Sequence, residues 1–341
     1  MIHHKLLSKL SLCTLIVLTI GVTGCGIEEE DEEVNGNWVK KSDFEGVTRS
    51  GAVSFVIGDY AYVGLGFDGD DYLRDFWRYD ESRNFWQQMA PFPGTGRISA
   101  VAFSAAGKGY IGTGYNDELD DEEMGDFWQY DPATNTWLQV SDFGGGPRYG
   151  AVAFAINEIG YVGTGYDGNY YKDFWKYDPN IDSWTQTISL FGSKREQAVA
   201  FVIDDHAYVC SGRNNGQDVF DFWKFEPNQE LWTELTPDDD EDGHYDEFKD
   251  AVARYGASVI THGDMAYIGT GFGATITTTF YSFNAITTVW DRVSDFEGSP
   301  RIESSGFTVN DKMFVVLGRS GTARYDDLWE FRPDLEFDED D

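Results

Sequence analysis

Arg148-Tyr149-Gly150-Ala151-Val152-Ala153-Phe154-Ala155-Ile156 is followed by Gly160-Tyr161-Val162-Gly163-Thr164-Gly165-Tyr166, then by Asp173-Phe174-Trp175-Lys176-Tyr177-Asp178-Pro179, and then by Trp184. Within each run large side chains alternate with smaller or polar ones, and Gly, Asp or Pro stand between runs. That is the pattern of short β-strands joined by tight turns. Four such runs make one antiparallel unit. The same order begins again at Arg49, Arg97, Arg195, Arg254 and Arg301, with a period of about 50 residues, which marks a repeat architecture.

The eleven tryptophans set the register. Trp77, Trp128, Trp175, Trp223 and Trp329 stand in the third run, and Trp38, Trp86, Trp137, Trp184, Trp232 and Trp290 in the fourth, while Tyr281 fills the vacant third-run position. Trp38 precedes the first repeat and the sixth repeat has no fourth run of its own. Residues 38–43 are therefore expected to supply the outer strand of the last unit and close the ring, which removes the exposed edge an open array would keep. The expected fold is all-β: a six-bladed β-propeller of four-stranded blades, closed by an N-terminal strand. Tryptophans recurring in every unit read as packing residues between blades, sugar stacking being their other use.

This arrangement resembles the kelch repeats of the galactose oxidase central-domain superfamily, over residues 38 to about 333. Kelch repeats usually carry two adjacent glycines after the second strand. Here the motif is Gly-x-Gly, with its second glycine present in all six units (Gly66, Gly114, Gly165, Gly212, Gly271, Gly318) and its first replaced by Cys210 in unit four and Val316 in unit six. Only the second glycine is expected to be required by geometry, for a positive φ or a close backbone approach.

The chain carries 60 Asp+Glu against 25 Lys+Arg, a formal charge of −35, together with 25 Phe, 19 Tyr and 11 Trp. So many aromatics exclude disorder for most of the chain, and so acidic a balance argues against nucleic acid as a partner. Lys5, Lys9 and the apolar run 10–20 read as a signal peptide. Val22-Thr23-Gly24-Cys25 resembles the lipobox of bacterial lipoproteins, which implies removal of residues 1–24 and a lipid on Cys25. Gly26 is not the Asp of inner-membrane retention, and the acidic run 28–33 resembles a surface-export signal, so an outer-membrane protein exposed at the cell surface is expected. Residues 25–37 read as an acidic tether and 334–341 as an acidic tail. With Cys13 removed and Cys25 consumed, Cys210 has no intrachain partner, so no disulfide supports the fold.

Catalytic groups are sparse. His206, His244 and His262 are the histidines of the mature chain; His206 and His262 fall in turns between first and second strands, on the face opposite the repeat arginines, so the two His, Tyr ligands and Cys-linked Tyr of the copper radical oxidases that share the kelch-type propeller are not assembled here. No cofactor is expected from them. Asp238, Asp240 and Asp242, with Gly243 following, match the start of a calcium loop, although Lys249 stands where the closing Glu belongs; the other reading is a solvated acidic loop. The repeat arginines and the Asp before each third run (Asp75, Asp126, Asp173, Asp221, Asp327) read as a ring of structural contacts holding loops between blades. Unit five breaks this rule, since Thr279 replaces the Asp and leaves Arg254 without its repeat partner. A second break follows the glycine: Phe67, Tyr115, Tyr166 and Phe272 in four units, Arg213 and Arg319 in units four and six. Arg213, Arg254 and Arg319 with Phe67, Tyr115 and Tyr166 are thus the ligand-binding candidates, against a reading of ordinary loop packing.

Two functions follow. One is a non-enzymatic module, monomeric and lipid-anchored, that presents this loop face to a glycan, peptide or protein. The other is an exported mutarotase or epimerase for an acidic sugar, similar to sialic-acid mutarotases, for which Glu196 and Glu303 beside Arg195 and Arg301 would be the acid/base groups.

Overall fold

The computed structural model describes residues 35–237 and 244–336. The leader, Cys25 and most of the tether lie outside the described residues. So do Asp238, Asp240 and Asp242 of the calcium motif, and the last five residues of the chain.

Six four-stranded antiparallel sheets follow one another, five of them each built from one repeat and the sixth from the last repeat together with an N-terminal strand. Blade three is representative: Val152–Ile156, Ile159–Gly163, Phe174–Asp178 and Ser183–Thr187 pair in chain order. The first strands of successive blades touch, and that of blade six, Ser305–Val309, meets that of blade one, Val53–Ile57, so the ring is closed. Hydroxyls stitch this junction, as they do that between blades five and six through Ser258 with Ser304 and Thr261 with Thr308, whereas the first strands of blades two to four are built mostly from Ala and Val. Ser54 Oγ donates to the Gly306 carbonyl at 2.9 Å and Ser305 Oγ to that of Ala52 at 3.1 Å.

The sixth sheet contains the predicted clasp. Asn35–Lys40 pairs with Leu328–Glu336, the third strand of blade six, and forms its outer edge. Trp38 is fully buried there, edge-on against Phe280 and Phe296 of blade five at 4.8 and 4.9 Å between ring centroids. The strand lies three residues before the expected 38–43. Asn35 opposes Glu336, so the last three residues of the expected tether and the first three of the expected tail belong to the sheet.

Aromatic stacking explains the strand pattern. The Phe in the middle of the first strand stacks on the Tyr of the second in blades one to four, as in Phe154 on Tyr161 at 5.2 Å and Phe201 on Tyr208 at 5.0 Å. Fourth-strand tryptophans cross to the preceding blade: Trp137 and Trp184 donate to the carbonyls of Ala90 and Ser141 at 3.0 and 3.1 Å. The six second glycines have φ between 87° and 112°, and a Cβ on Gly165 would stand 2.9 Å from the Tyr149 carbonyl, so both expected requirements act together.

The insertion before blade five is not loop throughout. His244–Val252 is an α-helix, and its Phe248, Ala251 and Val252 are buried against Phe222 and Trp290. Those spacings place them on one helical face, a signal the acidic reading of the segment passed over.

Candidate functional site

The loops that enter the first strands and those that join second to third strands emerge at one end of the propeller, and in every blade they touch through a β-bridge. The bridged pairs are Ser50 with Phe67, Ile98 with Tyr115, Tyr149 with Tyr166, Glu196 with Arg213, Tyr255 with Phe272, and Ile302 with Arg319. The residues singled out after the second glycine are therefore equivalent positions around one rim.

Beneath them lie the repeat arginines, all buried. Arg97 is typical: its terminal nitrogens donate to both oxygens of Asp126 at 2.5 and 3.0 Å and to the Thr113 carbonyl at 2.9 Å. Trp128 Nε1 donates to the same carboxylate at 2.7 Å, and the Phe92 ring lies 5.2 Å from the guanidinium. Such pairs form inside one repeat in five blades and tie its two loops together, so their role is structural, but they act within a blade and not between blades as expected. Burial alone would raise Asp75, Asp126 and Asp327, but the arginine and indole bonds outweigh it and hold these carboxyls below their usual range.

Blades four and six differ at the rim. Their second-to-third loops are small hairpins, Arg213–Asn214 with Gln217–Asp218 and Arg319–Ser320 with Ala323–Arg324. Asn215-Gly216, both at positive φ, turns the first. Each hairpin opens with an arginine held by a glutamate. Arg213 Nε donates to Glu196 Oε1 at 2.9 Å, and Arg319 donates from Nε and a terminal nitrogen to Glu303 at 2.8 and 2.9 Å. The Tyr255 ring lies 4.4 Å from the Arg213 guanidinium. Burial works against the charge of Arg213, and Glu196 outweighs it and holds the guanidinium above its ordinary value; for Arg319 the Glu303 bonds dominate with the same result.

The structure thus joins residues that the sequence offered as rival candidates: Glu196 with Arg213, and Glu303 with Arg319. Glu196 is buried and one of its oxygens, Oε2, has no partner, whereas Glu303 keeps some exposure. On the neighbouring blades Tyr115, Tyr149, Tyr166 and Tyr170 form an aromatic run with centroids 4.7 to 5.7 Å apart. Phe67 is separate from it, its carbonyl and ring engaged by Arg324 of blade six. Arg254 is not at the rim; it lies below with the other repeat arginines. Tyr149 and Tyr255 were missed, although both directly follow a repeat arginine, the position Glu196 occupies in blade four.

Inside the rim, six residues two places after the repeat arginines take positive φ: Gly51, Ser99, Gly150, Gln197, Gly256 and Glu303. Backbone bonds run around this ring, including Gln197 to Gly150 at 2.7 Å and Glu303 to Gly256 at 2.9 Å. They border a cavity of about 130 Å³, below which the six first strands line an axial cavity of about 240 Å³. Glu303 belongs both to this mouth and to the Arg319 pair. Among the described residues no three His, Cys, Asp or Glu converge on a point that could hold a metal, and no helix is long and apolar enough to cross a membrane.

No family model matches the sequence, and no curated protein matches it. Solved structures do match the fold. The structure of YjhT aligns with a TM-score of 0.71 at 16% sequence identity, covering 84% of this chain and 95% of that one.

Proposed function

We propose that the protein is a non-enzymatic binding propeller that takes an acidic glycan, or a protein or peptide presenting carboxylates, on its arginine-bearing loop face. The observation that carries this reading is the state of Arg213. Its Nε is fixed by a buried carboxylate and its plane is packed on Tyr255, yet its terminal nitrogens have no hydrogen-bond partner among the described residues and a third of the side chain is exposed. A guanidinium held in this way is preorganised for a bidentate carboxylate, and the neighbouring tyrosines offer faces for a sugar ring. Binding of the purified propeller to arrays of acidic and neutral glycans tests it. Acidic ligands should be selected and lost in Arg213→Ala and Arg319→Ala; unchanged binding by the variants, or equal binding of neutral glycans, overturns it.

The anchoring half of this reading places a lipid on Cys25 and the propeller at the cell surface. It rests on residues 5–33 of the sequence. Metabolic labelling with a fatty-acid analogue should mark the protein and fail to mark Cys25→Ser.

A second reading has one observation in its favour: Glu303, at the channel mouth and bonded to Arg319, is a carboxylate that a bound sugar could reach. In a mutarotase for an acidic sugar it would move the proton at the anomeric hydroxyl while Arg213 held the substrate carboxylate. Glu196 is too deeply buried for that work. Exchange NMR with N-acetylneuraminate decides the matter, since absence of accelerated anomer interconversion rejects this chemistry.

A further inference from the structure

Blade five departs from the Arg–Asp–Trp arrangement at two of its three members. In blades one, two, three and six an Asp carboxylate accepts from the repeat arginine and from the indole two residues on, as Asp327 does from Arg301 and Trp329. The corresponding residues in blade five are Thr279 and Tyr281. Thr279 Oγ1 accepts from Arg254 at 3.0 Å but brings no charge, and the Tyr281 ring lies 5.5 Å from the guanidinium. The other bonds of Arg254 go to the carbonyls of Asp250, Thr270 and Thr279. Arg254 is 3% exposed, its Nε is buried without a partner, and the loss of hydration pulls it down to about 10. It is the one repeat arginine with no ion pair among the described residues.

The room left by the missing carboxylate and indole is a cavity of about 320 Å³, bounded by Arg254, Thr275, Thr277, Thr279, Tyr281 and Asp250. A buried cation with no carboxylate bonded to it, beside a cavity where its repeat partner stands in other blades, is matched by an anion of the same shape as that partner. We infer that this cavity binds a small organic carboxylate, which displaces the Thr279 hydroxyl from Arg254 so that its oxygens stand where the Asp side chain stands in other blades, its remainder lying among the threonine hydroxyls and Tyr281. The exposed carboxylate of Asp250 and that of Asp295, which also bears on Arg254, disfavour a tetrahedral dianion and leave room for one negative charge. This site lies apart from Arg213 and Arg319 and does not rest on the reading of the rim.

The test is thermal unfolding of the purified propeller in sodium acetate or lactate, against sodium chloride and sodium sulfate at matched ionic strength. The carboxylates should raise Tm saturably, by about 2–4 °C, because they bind the folded state alone. Thr279→Asp restores the residue found in the other blades, so it should fold, unfold at a higher Tm without additive, and lose the carboxylate response. The double variant Thr279→Asp with Tyr281→Trp should do the same. A wild-type protein no more responsive to acetate and lactate than to chloride, an equal rise with sulfate, or a Thr279→Asp variant that keeps the response overturns the inference.

Discussion

Glu196 and Arg213 form the only rim bridge among the described residues in which both partners are charged, and the carboxylate is the buried member: its side chain is 3% exposed against 33% for the arginine. The pair is therefore asymmetric in what its loss costs. Arg213→Ala strands a carboxylate away from water, whereas Arg319→Ala leaves Glu303, at 13% exposure, better able to rehydrate. Allowing for the screening of a partly exposed arginine, the first substitution should cost about 1–3 kcal/mol and the second about 1 kcal/mol or less. Denaturant midpoints of the two variants should fall in that order, and Glu196→Gln combined with Arg213→Ala should recover part of the loss. Equal midpoints would show that Glu196 is not dependent on its arginine.

The clasp predicts a second asymmetry. Trp38 holds blade six to blade five through rings from both, so Trp38→Ala should cost about 3–5 kcal/mol, the range for a fully buried large aromatic. Trp137→Ala, at a half-buried equivalent position, should cost less. Deleting residues 35–43 should do more than either, because it also uncovers the edge of Leu328–Glu336 and invites strand pairing between molecules. Light scattering during heating would show aggregation of the deletion variant at a lower temperature than of Trp38→Ala; a soluble deletion variant of unchanged Tm would refute the closure.

How far the sequence reveals this molecule depends on whether a feature repeats. The blades, the glycine at positive φ and the place of each tryptophan were legible because six copies impose one geometry on equivalent residues. The clasp was legible as an absence, a fourth run missing at one end and present at the other. Its start at Asn35 was not, because Gly36 and Asn37 show no alternation and their partner strand lies at the far end of the chain. The helix His244–Val252 occurs once and sits in an acidic insertion, where charge masked its apolar face. The Glu196–Arg213 and Glu303–Arg319 pairs were hidden differently. Their members stand in separate loops, and only the rim bridge sets them side by side.

Acid should act on the buried Arg–Asp pairs. Asp75, Asp126 and Asp327 have folded-state pKa values below the ordinary 3.8, so the unfolded chain takes up their protons first. Their stabilisation is present in full above 3.8 and is lost as pH falls through the lower folded values. From neutrality downward the charge of −35 has the opposite effect, since protonating surface carboxylates relieves repulsion before the pairs are touched. Tm should hold or rise from pH 7 to about 5 and fall steeply below about 3.5. Asp75→Asn should lower Tm at pH 7 and make the acid limb shallower, and a Tm that declines steadily from pH 7 would contradict the assignment.

Glycine substitutions separate backbone strain from crowding. Gly58 and Gly107 have φ of 55° and 69°, and nothing lies within 4 Å of where a Cβ would stand, so alanine there meets only the conformational cost, about 1 kcal/mol. Gly165 has φ of 96°, farther from the region alanine tolerates, and its Cβ would press on the Tyr149 carbonyl at 2.9 Å and on Ala151. Those atoms belong to the loop that also carries Arg148 and the Tyr149–Tyr166 bridge, so they cannot retreat without opening the rim. Gly165→Ala should therefore cost about 2–4 kcal/mol, at least twice the penalty at the two turn glycines. Unfolding midpoints of the three variants decide it. If Gly165→Ala proves no worse than Gly107→Ala, positive φ alone accounts for the glycine at this position, and the close approach of the two loops contributes nothing to its requirement.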